Sequence, residues 1–166
     1  DCRYIFPEIP QTRQKKSGKE RSGMDQQTME LLKECSQGCK MALNSIEQIS
    51  EYVKDTKLKN VFKEYRDKYR KMEDESIQLS GGCVQQETTS DKMAEAFSWM
   101  TAEVKLRLKD DNTQIAKMMM DGGNMGVKSI AEKLNQCPDA SRESISLAKK
   151  FEKCNEKLVE EMKQFI

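Results

Sequence analysis

Apolar side chains recur at intervals of three and four residues along most of the chain, a spacing that places them on one face of an α-helix. The first series lies between Gln26 and Lys54. Asp55 and Thr56 interrupt it, and a second series begins at once at Leu58. So short a connection between two long series predicts an antiparallel helical hairpin. The first series is Leu32, Cys35, Cys39, Ala42, Ile46, Ile49 and Val53, and the second is Leu58, Phe62, Tyr65, Tyr69, Met72, Ser76 and Leu79.

Three further helices are predicted beyond Gly81–Gly82, a pair that can end the second helix because glycine readily adopts the left-handed conformation after a last turn. Ser90 or Asp91 can cap the third helix, and Asp111 or Asn112 the fourth. The apolar sets are Met93, Ala94, Ala96, Phe97, Trp99, Met100, Val104 and Leu108 in the third helix; Ile115, Met118, Met119, Met120, Met125, Val127, Ile130 and Leu134 in the fourth; and, after the break at Pro138, Leu147, Phe151, Cys154, Leu158, Met162 and Phe165 in the fifth.

The fold predicted from these patterns is all-α, an antiparallel up-down bundle of four long helices and a shorter third one. No segment alternates apolar and polar residues as a half-buried strand does. The periodic region opens just after Met24, so we expect one helical domain over residues 24–166. Residues 1–23 carry two prolines and six basic side chains without a helical period, and they read as a disordered basic tail or a non-native extension.

Composition agrees with a helical protein, since 34% of residues are charged, 36% are hydrophobic and only three are proline. The net charge is +1, which gives no electrostatic reason to expect a nucleic-acid partner. No apolar run is long enough to span a membrane. Pro7 cuts short the only apolar stretch near the beginning of the sequence, so no signal peptide is indicated. We therefore expect a cytoplasmic protein whose six cysteines are thiols.

Gly122, Gly123 and Gly126 fall inside the predicted fourth helix, where each glycine costs about 1 kcal/mol relative to alanine. Close helix packing can offset this cost. We expect Gly122 and Gly126 to face a bulky neighbour such as Trp99 or Phe97. The alternative is a kinked helix or a small-molecule pocket.

Two segments carry a family resemblance: Phe97-Ser98-Trp99-Met100, and the stretch Ile115-Ala116-Lys117-Met118-Met119-Met120-Asp121-Gly122-Gly123-Asn124-Met125-Gly126. Together with the leading hairpin that ends at Gly81-Gly82, they resemble a ferritin-like family of small bacterial proteins from anaerobic Gram-positive species. The resemblance covers residues 24–166 and implies a ferritin-like up-down bundle. It implies no activity, since none is established for that family.

A di-iron site of the ferritin-like type is not expected. Such sites use Glu on two helices and Glu-x-x-His on two others, and this chain has no histidine. The acidic residues also fall mainly beside the apolar stripes, where they form solvated faces with pairs such as Glu64–Lys68. These residues are Glu34, Glu47, Glu51, Glu64, Glu73, Glu95, Glu103, Glu152 and Glu156.

The cysteines suggest a different metal. Cys35 and Cys39 lie one helical turn apart on the first stripe, and Cys154 lies on the stripe of the last helix. Thiolates and thioethers are soft ligands that suit Cu(I), and the fourth helix adds methionines that could contribute. The alternative is that buried cysteine acts as a small hydrophobic residue and methionine fills gaps. The methionines are Met118, Met119, Met120 and Met125.

These observations favour a non-catalytic protein. Without histidine, nucleophilic triads that depend on it are unavailable, and no Gly-rich phosphate loop is present. The leading hypothesis is a structural or interaction protein that self-associates or binds another helix, without a cofactor. The alternative is binding or storage of Cu(I) or Zn through Cys35, Cys39 and Cys154. An enzyme is the third possibility.

Overall fold

The fold is described from a computed structural model, which defines the backbone of residues 18–85, 102–109 and 111–166. Side chains are described for residues 26–84, 104–109 and 111–166. Every regular element in these ranges is helical. The α-helices are α1 (Gly18–Ser50), α2 (Thr56–Leu79), α3 (Ala102–Leu108), α4 (Asn112–Gln136) and α5 (Arg142–Met162), and short 3₁₀ turns cover Cys83–Gln85 and Lys163–Phe165.

The helices α1, α2, α4 and α5 pack around one apolar core, which confirms the predicted all-α bundle of four long helices and a shorter one. The helix α1 begins at Gly18, ahead of the predicted domain boundary at Met24. Residues 1–17 lie outside the described ranges, as do most apolar positions of the predicted third helix. Of that set, Leu108 is buried and Val104 is half-buried.

Side-chain contacts fix the direction of each helix. Lys150 of α5 pairs with Glu75 of α2 at 2.7 Å. About one and a half turns further along α5, Asn155 accepts a hydrogen bond from Tyr69, which precedes Glu75 in α2, so these two helices are antiparallel. In the same way, Ser129 donates to Glu34 and Lys133 pairs with Glu30 one turn away, so α4 and α1 are antiparallel. Since the two hairpins are also antiparallel, α1 and α5 run one way and α2 and α4 the other.

This arrangement is an up-down-down-up bundle in which α1–α2, α2–α5, α4–α5 and α1–α4 are antiparallel pairs, whereas α1 and α5 are parallel and also pack together. Residues 80–111 connect the end of α2 to the beginning of α4, at opposite ends of the bundle. Two hydrogen bonds support this placement of the ends. Asp139, in the α4–α5 turn, bonds Gln27 near the beginning of α1, whereas Thr113 of α4 bonds Phe165 just beyond α5. The connection therefore traverses the length of the bundle.

Helix ends follow local sequence signals. Gly81 and Gly82 have φ angles of +62° and +86°, and the Gly82 N–H donates to the Ile77 carbonyl, so the predicted glycine cap of α2 is confirmed. The Asp111 carboxylate caps α4 by accepting from the Gln114 N–H at 3.0 Å. Ser141 caps α5, a cap that the apolar spacing does not predict.

Two predicted core positions are wrong. Leu79 is 40% exposed and Met125 is 68% exposed. Leu79 is the last residue of α2, and the next residue, Ser80, is the one that is buried there. Met125 lies on the outer side of α4 because the glycines at positions 123 and 126, rather than the neighbouring methionine, turn toward α5.

Candidate functional site

The three cysteines singled out by the sequence all lie in the core. Cys35 and Cys39 on α1 are fully buried, and Cys154 on α5 is 8% exposed. The three thiols are close enough for the charge of one to affect another, since a thiolate at Cys35 or Cys154 would raise the pKa of Cys39. The fold therefore brings together side chains that spacing alone could place only on separate stripes.

Near these thiols, two buried polar side chains are joined to each other by a hydrogen bond. The Tyr69 hydroxyl on α2 donates to Asn155 Oδ1 on α5 at 2.8 Å, and Asn155 Nδ2 donates to the Phe151 carbonyl at 3.0 Å. Tyr69 is fully buried and Asn155 is 3% exposed. We call these five residues the core polar layer: Cys35, Cys39, Tyr69, Cys154 and Asn155.

The spacing of apolar residues predicts a core position for Tyr69 but not for Asn155. A signal was available, because Asn155 lies four residues after Phe151 and three before Leu158, in the middle of an apolar stripe. An amide at such a position requires a hydrogen-bond partner in the core, since burying it unpaired is costly. The partner itself could not be predicted, because it lies on another helix.

Glycines of α4 make room for this layer. A Cβ on Gly126 would lie 3.1 Å from three atoms of the Asn155 carboxamide, and one on Gly123 would lie 2.7 Å from Val159 Cγ2. The prediction of close packing in α4 therefore holds for Gly126, but its described neighbour is an amide. Among the described residues no atom lies within 4 Å of a Cβ built on Gly122, so the expected tight contact there is not found. Trp99 and Phe97 fall outside the described ranges.

Burial keeps the thiols of the layer protonated. It raises the pKa of Cys35 to about 12 and that of Cys39 well above its ordinary value. Burial also raises the pKa of Cys154 to about 11, although the charge of Lys68 opposes the shift. Because the thiolate is the nucleophile and the metal ligand, thiols in this state are chemically inert near neutral pH.

Thiol labelling should separate the cysteines by burial. Of the five described cysteines, all are free thiols and only Cys83 is exposed. In a Cys2→Ser variant we expect one thiol to react rapidly with a maleimide under native conditions. The others should react only in denaturant. Mass spectrometry of the labelled peptides checks this, and rapid labelling of Cys39 in the folded protein would contradict the described burial.

The raised pKa values predict a loss of stability in alkali. Since the folded-state pKa values exceed the ordinary value of 9.0, protonation of these thiols favours the folded state. Their contribution is fully present below pH 9 and is lost as the pH rises through about 11 to 12. Urea unfolding over this range should show a steeper decline for the wild type than for Cys154→Ala. The exposed-site variant Cys83→Ala should decline as the wild type does.

The described residues contain no group of three or more His, Cys, Asp or Glu side chains placed to hold a metal ion. The methionines of α4 do not converge either: Met119 is buried, Met118 and Met120 are half-buried, and Met125 is exposed. Successive helical residues point about 100° apart, so these thioethers cannot all face the thiols.

One predicted surface pair is confirmed, since Lys68 binds Glu64 at 2.6 Å.

No helix within the described ranges combines the length and apolar character needed to cross a membrane. Comparison with protein-family models, with curated proteins and with solved structures finds no match to this chain.

Proposed function

We propose that this protein is a non-catalytic helical bundle that acts structurally or by binding a protein, either a second copy of itself or a helix of another protein. One observation carries the proposal. Among the described groups, the thiols and the tyrosine hydroxyl of the core polar layer are the ones best suited to chemistry in the core. They are buried, and burial raises the pKa of each. They contribute to packing and to one internal hydrogen bond, which leaves the outer surface to carry the function.

The traversing connection between α2 and α4 supports the resemblance to ferritin-like proteins, because their bundles also have one long crossover connection. In the metal-binding members, glutamates and histidines project inward from four facing helices. The buried positions that the structure describes in this chain include Cys39, Tyr69 and Asn155 and no glutamate, and the sequence has no histidine. This composition supports a ferritin-like bundle without a di-iron site. The free thiols further support a reducing, cytoplasmic location, and the near-neutral charge supports a protein partner over nucleic acid.

Measurements of association, of unfolding and of oxygen uptake test this proposal. Light scattering after size-exclusion chromatography, repeated over a range of protein concentrations, measures self-association. Circular dichroism and thermal unfolding with and without a chelator, together with oxygen uptake after addition of Fe(II), test for a metal centre. We expect the same helix content and melting temperature in both conditions, and oxygen uptake equal to that of Fe(II) alone. Chelator-induced unfolding or protein-dependent oxygen uptake would overturn the non-catalytic assignment.

We propose soft-metal binding as a second candidate, favoured by the burial of Cys35, Cys39 and Cys154 in one core, where Cys39 lies near both of the other thiols. Since the described residues offer no metal group of three or more ligands of the usual kinds, the site would rest on a pair of thiolates and would bind Cu(I) in preference to Zn. Binding would displace the thiol protons, so the apparent affinity should rise with pH.

Anaerobic titration of the reduced protein with Cu(I), against a competing chelator, tests the second candidate. We expect one Cu(I) site that disappears in the Cys35→Ala/Cys39→Ala variant. Cys137→Ala is the matched control, since Cys137 is also fully buried but lies at the end of α4. Equal binding by the wild type and the double variant would exclude this site.

A further inference from the structure

We draw no further inference here: the strongest candidate, the exposed face of α4 around Gly122 and Met125, is an apolar surface for which nothing in the described residues shows what covers it.

Discussion

Replacing Asn155 by leucine should lower the free energy of unfolding by about 1–3 kcal/mol, the typical effect of leaving a buried polar group unpaired. Leucine has nearly the shape of asparagine, so it fills the space beside Gly126 without a cavity. It removes the acceptor of the Tyr69 hydroxyl, which donates to Asn155 Oδ1 at 2.8 Å inside the core. Urea unfolding followed by circular dichroism measures the change.

A double-mutant cycle isolates the hydrogen bond from other effects of the substitution. Tyr69→Phe alone should also destabilise the bundle, because it leaves Asn155 Oδ1 without its donor. The Tyr69→Phe/Asn155→Leu variant removes both partners and should lose less stability than the two single variants added together. Strict additivity would show that the two side chains do not interact in solution, contrary to the described geometry.

Replacing Gly38 by alanine should also destabilise the bundle. The added Cβ would lie 2.5 Å from Cζ of the Phe151 ring, where α1 and α5 approach each other. That ring is 3% exposed and makes an edge contact with Tyr69 at a centroid distance of 6.1 Å, so it has little room to move. Overpacking of this kind costs typically about 1–3 kcal/mol, which should exceed the gain of about 1 kcal/mol from placing alanine in a helix.

Gly122→Ala is the matched control, because it makes the same change in a helix where no described atom lies within 4 Å of the new Cβ. This variant should be stabilised by up to about 1 kcal/mol through helix propensity alone. Adding Phe151→Leu to Gly38→Ala should recover part of the lost stability by removing the ring. If Gly38→Ala were as stable as Gly122→Ala, the close approach of α1 and α5 would be wrong.

Spacing in the sequence predicted the helices well because each apolar stripe is a local property. The stripe from Leu32 to Val53 and that from Leu147 to Met162 were placed in the core correctly, and most of their residues are fully buried. Caps at Asp111 and Gly81 were also predictable, since they depend on residues within one turn of the helix end.

The site was only partly predictable. The cysteines of the site could be assigned to apolar stripes. Their proximity in the core depends on which helices are neighbours, and packing between distant segments decides that. Asn155 was not predicted because a polar residue does not contribute to the regular spacing of apolar residues. Trp99 and Phe97, the neighbours predicted for the α4 glycines, lie outside the described residues. Asn155 was not predicted as a neighbour of Gly126, because a gap at a glycine does not specify which helix fills it.

The traversing connection has a consequence for how the bundle assembles. It divides the chain into a first hairpin, α1 with α2, and a second, α4 with α5, each closed by a short turn and therefore able to form through nearby contacts. Cys35, Cys39 and Tyr69 belong to the first hairpin, whereas Cys154 and Asn155 belong to the second. The Tyr69–Asn155 bond joins the two hairpins, so it forms only when they pack against each other, and it reports on that contact.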